Sequence, residues 1–184
     1  MIYQLSGLTL ATIITLFACT SNGQNEMSKD DTATTTTEQT TAHPAAPIVT
    51  SNGQLPSLQM KTVNGETISL EQFKGKKVFV NLWASWCPPC KKEMPSIQKL
   101  YQSTDTSKVA FVLLSLDDQF EKATNYAASQ KLKLPLYYPT QQLPALFNVE
   151  GIPATFIFSE SGELMKRIDG MENYDTKAFR DLLK

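Results

Sequence analysis

Cys87 and Cys90 stand two prolines apart, directly after an apolar run from Val78 to Ala84. Two thiols at this spacing, where a buried strand gives way to a helix, can close into a disulfide and open again. At a helix N-terminus the first sulfur meets free N–H groups and the positive end of the helix dipole, which favour its thiolate and make Cys87 a nucleophile. Prolines fit the first helical turn because the N–H groups they lack have no intrahelical partner there. Cys90 then faces the first sulfur across one turn. A structural staple is a poor alternative, since a ring of four residues removes only about 2 kcal/mol of loop entropy. A zinc site needs about four ligands, and the remaining cysteine and the single histidine, Cys19 and His43, both lie in the first fifty residues. The residues point to redox chemistry.

The elements that must position this pair follow from periodicity. Ser57 to Val63 and Glu66 to Ser69 flank Asn64-Gly65 and read as a hairpin. Ser69 to Phe73 reads as a short helical turn closed by Gly75. Val78 to Ala84, interrupted only by Asn81, is a central strand buried on both faces. After the cysteines, Met94, Ile97, Leu100 and Tyr101 mark one face of a helix reaching about Gln102, with Pro95 expected to kink it. Val109 to Leu116 is a second buried strand and Phe120 to Lys131 a second helix, with Phe120, Ala123, Tyr126 and Ala127 inward. A short strand at Leu134 to Tyr138 and a brief helix at Leu143 to Phe147 follow. Ala154 to Phe158 and Leu164 to Ile168 form a hairpin about Ser161-Gly162, and Tyr174 to Leu183 closes the chain as a helix. Strands alternating with helices and ending in a hairpin predict an α/β three-layer sandwich with a mixed sheet and helices on both faces.

The first fifty residues read differently. Leu5 to Ala18 is uncharged and mostly apolar, the length of a signal-peptide core and too short for a bilayer span. It ends in Leu16-Phe17-Ala18-Cys19, which resembles the lipobox of bacterial lipoproteins. That resemblance implies cleavage after residue 18 and lipidation of Cys19, although the n-region lacks Lys and Arg and Phe17 is large for its place. An uncleaved anchor helix or a plain secretory signal are the alternatives, and all three export the remainder. Residues 19–54, with seven threonines between Thr32 and Thr41 and acids outnumbering the single Lys29, cannot bury enough apolar surface to order themselves and are expected to form a tether. The folded domain is expected at 55–184. The whole chain of 184 residues is 41% apolar and 19% charged with a net charge of −1, which provides no electrostatic footprint for nucleic acid.

The segment Trp83-Ala84-Ser85-Trp86-Cys87-Pro88-Pro89-Cys90-Lys91-Lys92-Glu93-Met94-Pro95 resembles the active-site segment of the TlpA/ResA branch of the thioredoxin superfamily. So does Gly151-Ile152-Pro153-Ala154-Thr155-Phe156, which matches the loop carrying that family's cis-proline, and so does the insertion between Leu116 and Leu143. The resemblance covers about Leu55 to Lys184 and implies a thioredoxin-like fold. It makes Cys87 the exposed nucleophile and Cys90 the resolving thiol, with Pro153 cis against them and the backbone of Ile152 pairing with an extended substrate segment. Trp86 and Pro88 would border that substrate. Glu93 matches an acidic residue near the thiol pair, able to oppose a nearby thiolate and to take up the resolving proton; a solvated surface role is the alternative. Asn81 stands where thioredoxin has a buried acid, which shifts proton handling toward Glu93 or water. For Trp83 a core role is expected, and Lys91 and Lys92 read as surface charges.

The Pro-Pro dipeptide offers no polar donor to hold the thiolate, so a reductant is favoured over an oxidant. The resemblance agrees. It implies reduction of disulfides in exported proteins, apocytochrome c among them, with recharging by a membrane thiol-electron transporter and no cofactor beyond the Cys87–Cys90 disulfide. A thiol oxidase or isomerase is the first alternative. A peroxiredoxin-like peroxidase needs Thr or Ser three residues before its reactive cysteine and Pro seven before, where this chain has Ala84 and Val80. A copper-binding thioredoxin-like protein usually adds a histidine from the fold, and the one histidine lies in the tether; no metal site is expected.

Overall fold

The structure is a computed structural model and describes residues 53–184. The signal segment, Cys19 and all of the tether up to residue 52 lie outside the described residues. Seven strands form one mixed sheet: β1 (Gln59–Thr62), β2 (Thr67–Ser69), β3 (Lys77–Trp83), β4 (Val109–Ser115), β5 (Leu136–Pro139), β6 (Ala154–Phe158) and β7 (Leu164–Asp169). Their order across the sheet is β2-β1-β5-β4-β3-β6-β7. β3, β4 and β5 run parallel, and the two hairpins add antiparallel edges. This is the thioredoxin-like α/β arrangement that the sequence predicts.

Three α-helices, α1 (Pro88–Gln102), α2 (Phe120–Ser129) and α3 (Lys177–Leu182), contribute to a single apolar cluster on one face of the sheet. Met94, Ile97 and Leu100 of α1 meet Phe79 and Trp83 of β3, Ala123 and Ala127 of α2 and Phe179 of α3 there. The opposite face is covered by short 3-10 helices, Leu70–Phe73 and Ala145–Phe147, whose Leu70 and Phe147 pack with Val78, Val80 and Leu82. Helices thus lie on both faces, α-helical on one and 3-10 on the other. The alternation of β3 between the two clusters is the period of two expected of a strand buried on both sides.

Local chemistry explains the boundaries. Gly65 takes a φ of 85° in the β1–β2 turn, a conformation that strains any residue with a Cβ. Ser69 caps the following turn by accepting the N–H of Glu71. α1 runs unbroken through Pro95, which removes only one N–H from the ladder. α3 begins later than its apolar residues suggest: Thr176 accepts the N–H of Phe179 and caps the helix, leaving Tyr174 fully buried ahead of it. Among the described residues no helix is long and apolar enough to cross a membrane.

Candidate active site

β3 ends at Trp83, and four residues carry the chain from the sheet to the first turn of α1. Cys87 is the N-cap of that helix, with an extended backbone and Pro88 and Pro89 at the first two helical positions. Its sulfur accepts the N–H of Cys90 at 3.2 Å. An N-cap side chain ordinarily draws on the N–H groups of the second and third helical residues. Here the second is a proline, so Cys90 alone donates. The two sulfurs are joined as a disulfide.

The loop opposite supplies the other wall. The Ile152–Pro153 peptide bond is cis, as the resemblance implies. The carbonyl oxygen of Ile152 lies 3.7 Å from the Cys87 sulfur. In the disulfide this sulfur carries no hydrogen, so the approach is a packing contact that becomes a donor–acceptor pair once the thiol forms. The expectation of an exposed Cys87 is corrected: with the disulfide closed it is only 3% exposed and Cys90 is fully buried. Cys87 packs in the cluster that holds Trp83 and Ala84, with Ile152 against that cluster, and its sulfur is bonded to the buried Cys90. It remains the more accessible of the two.

Trp86, beside Cys87, is 61% exposed and presents a large apolar surface at the rim, with Pro88 and Pro89 also exposed. Trp83 is fully buried against the ring of Tyr126 and belongs to the core. Lys92 is exposed, whereas Lys91 is half-buried with its ammonium 5.8 Å from the Tyr126 ring centre.

Glu93 is not the solvated surface residue of the alternative reading. It is 2% exposed, on the face of α1 that Cys90 begins. One carboxylate oxygen accepts from Asn81 Nδ2 at 2.8 Å and the other from the backbone N–H of Glu172 at 3.2 Å. Burial pushes the carboxyl up to about 7, overcoming these two donors, which act in the opposite direction. A cleft of about 340 Å³ lined by Glu93, Lys92, Ser96, Met171, Glu172 and Asn173 opens it to solvent. A buried acid that titrates near neutrality, beside a thiol pair and reachable by water, is suited to proton exchange.

Two features of the site are not apparent in the sequence. Asp117, 3% exposed at the end of β4, accepts from the backbone N–H of Ser85 and from the hydroxyls of Ser85 and Ser115. It ties the loop ahead of Cys87 to the neighbouring strand. Thr155 and Tyr174, both fully buried, continue the polar contact of Asn81 away from Glu93. A polar residue at each strand end is the only signal that either sequence segment carries. Ala84 and Val80, where a peroxidatic site needs a hydroxyl and a proline, are both buried apolar core. No group of three or more His, Cys, Asp or Glu side chains among the described residues is arranged to hold a metal ion.

Residues 52–167 match the AhpC/TSA family. The chain belongs to that family. Among relatives of this AhpC/TSA member, the thioredoxin-like protein YneN of Bacillus subtilis is 37% identical over 59% of this chain and 65% of its own length. The thiol-disulfide oxidoreductase ResA of the same organism is 28% identical over 66% of this chain and 69% of its own. The match thus spans about two thirds of each relative. The crystal structure of StoA from Bacillus subtilis superposes with a TM-score of 0.60 at 28% identity, covering 72% of this chain and 99% of that one. The ResA-like resemblance of the Trp83–Pro95 and Gly151–Phe156 segments is upheld, and this AhpC/TSA member is a thiol-disulfide oxidoreductase with a thioredoxin-like fold.

Proposed function

We propose that the protein is a disulfide reductant of the bacterial cell envelope. The observation that carries the direction is the single N–H reaching the Cys87 sulfur: Pro88 and Pro89 cannot donate, and only Cys90 does. A strong oxidant owes its high potential to a well-stabilised thiolate. Here the thiolate has one backbone donor and a buried carboxyl close by, so the reduced pair readily parts with its electrons.

In the forward reaction the Cys87 thiolate attacks one sulfur of a substrate disulfide. The substrate S–S bond breaks, its other sulfur leaves as a thiolate that is then protonated, and a Cys87–substrate mixed disulfide forms. Cys90 gives its proton to the Glu93 carboxylate and attacks the Cys87 sulfur. The mixed disulfide breaks, the second substrate sulfur leaves and is protonated, and the Cys87–Cys90 bond closes. Two electrons have moved to the substrate, and a dithiol donor restores the reduced pair. The Ile152 backbone would align an extended substrate segment, with Trp86 and Pro88 at its border.

The setting rests on the N-terminal sequence. Residues 1–18 serve as a lipoprotein signal, Cys19 carries the lipid, residues 19–54 act as a tether, and the domain from residue 55 works outside the cytoplasmic membrane. Its substrates are disulfide-bonded exported proteins, apocytochrome c included, and its donor is a membrane thiol-electron transporter. No cofactor other than the disulfide is required. The deciding experiment is a titration of the Cys87–Cys90 pair against dithiothreitol mixtures. A potential near or below about −270 mV supports the reductant, and one near about −120 mV makes the protein an oxidase.

A further inference from the structure

Asn81 sits opposite Thr155 in the β3–β6 register, at the centre of the sheet. Its Nδ2 donates to Glu93 at 2.8 Å and to the Thr155 hydroxyl at 2.9 Å, and that hydroxyl lies 2.7 Å from the Tyr174 hydroxyl. Asn81, Thr155 and Tyr174 have no exposed surface. Asn81 Oδ1 has no hydrogen-bond partner, an arrangement that costs about 1–3 kcal/mol for a buried acceptor.

The unused acceptor has a use in the other protonation state of Glu93. An ionised carboxylate only accepts, and it needs the N–H end of the carboxamide. A protonated carboxyl also donates. Turning the carboxamide by half a revolution puts Oδ1 where Nδ2 was, a change that leaves the shape of the side chain intact. Oδ1 then accepts from the carboxyl O–H and from the Thr155 hydroxyl, and Thr155 accepts from Tyr174. Every hydroxyl hydrogen in the row finds an acceptor in this second arrangement, while the amide NH2 turns to the place where Oδ1 had no partner, so each arrangement leaves one end of the carboxamide unpaired. A hydrocarbon side chain could serve neither state, and a carboxylate could serve only one.

We propose that Asn81 is a positioning residue that holds the Glu93 carboxyl in both protonation states by reversing its carboxamide, so that the proton released by Cys90 can be taken up and handed to solvent. This rests on the proton-accepting role of Glu93 given above. Burial raises the affinity of Glu93 for its proton and the Asn81 donor lowers it, consistent with such a balance. The other charged and titratable groups around Glu93 are Lys92 on α1 and Glu172 and Tyr174 on the segment after β7, with Cys90, joined in the disulfide, one turn before it on α1.

The test uses the full chain. In the disulfide form of the wild type, proton NMR should show a cross-peak between the Asn81 side-chain NH2 and the Thr155 methyl above the Glu93 midpoint, lost below it. A cross-peak present at both extremes overturns the reversal. In parallel, disulfide reduction is followed against pH in Asn81→Leu, Glu93→Gln and the double variant. Loss of the donor should move the pH–rate profile of Asn81→Leu about one unit alkaline, a tenfold rise in proton affinity, with no shift in the double variant relative to Glu93→Gln. If Glu93→Gln keeps the wild-type profile, the role of Glu93 fails. If Glu93→Gln flattens the profile while Asn81→Leu leaves it unmoved, the Asn81 proposal alone fails.

Discussion

The Ser85 hydroxyl donates to Asp117 Oδ1 at 2.7 Å, bridging the loop ahead of Cys87 to the end of β4. The same carboxylate receives the Ser85 backbone N–H at 3.2 and 3.0 Å and the Ser115 hydroxyl at 2.9 Å. β3 and β4 already meet in parallel register at Trp83 and Ser115, so Asp117 extends that pairing by two residues into the approach to the active cysteine.

Asp117→Ala should therefore strand one backbone N–H and two hydroxyls in a nearly closed space. We expect a loss of about 1–3 kcal/mol, read as a lower urea midpoint of the disulfide form. Asp117→Asn keeps an acceptor for Ser85 and should retain at least half of that stability. Equal losses in the two variants would mean that the charge, and not the clamp, is what matters.

Glu93 governs a second prediction, on pH. Its folded-state pKa of about 7 lies above the ordinary 4.5, raised chiefly by burial. Between these values the folded chain holds a proton that the unfolded chain releases, so stability falls as pH rises through the window and levels above it. The full change is about 3 kcal/mol at most. The surface carboxylates with lowered pKa, such as Asp175 and Asp181, act below this window and in the opposite sense. Urea unfolding of the disulfide form between pH 5 and 8 should show the decline, and Glu93→Gln should flatten it.

Trp86 is expected to separate binding from folding. With 61% of its surface exposed it contributes little to the core, so Trp86→Ala should change stability by less than about 0.5 kcal/mol. As an aromatic anchor at the rim it should raise KM for a protein disulfide by about tenfold, a loss of about 1.4 kcal/mol, and leave kcat nearly unchanged. A large drop in the unfolding midpoint would contradict this assignment.

How far the site could be read from sequence depends on the range of the interactions. The Cys87–Cys90 pair, the strand before it and the helix after it are local patterns, and each lies where periodicity puts it. The cis bond before Pro153 came from a motif, since an X-Pro pair alone leaves the trans form favoured. Glu93 could be named but its surroundings could not: one turn of helix beyond Cys90 fits a buried or a wet carboxylate equally, and the choice is made by β3 and by Glu172, 79 residues away. Asp117 and Tyr174 were missed for the same reason. An Asp after a strand usually marks a turn, and a Tyr before a helix looks like part of its apolar face. The 3-10 character of the helices over Val78, Val80 and Leu82 was hidden as well, because three or four residues are too few to show a period.

The sharpest prediction concerns the two prolines. Pro88 and Pro89 occupy the first and second helical positions, and the Cys87 sulfur is left with the N–H of Cys90 at the third. Pro89→Ala restores a donor at the second position, one of the two from which an N-cap group accepts. A hydrogen bond to a charged group contributes about 1.5–3 kcal/mol, and for a two-electron couple about 1.4 kcal/mol corresponds to 30 mV. The potential of the Cys87–Cys90 pair should rise by about 30–60 mV, with a matching fall in the Cys87 thiol pKa measured from the pH dependence of alkylation. Pro88→Ala restores a donor at the first position, where the geometry is poor, and should move the potential by less than half as much. Equal shifts in the two variants would point to relief of chain rigidity, and no shift in either would remove the missing donors as the ground for the proposed reductant.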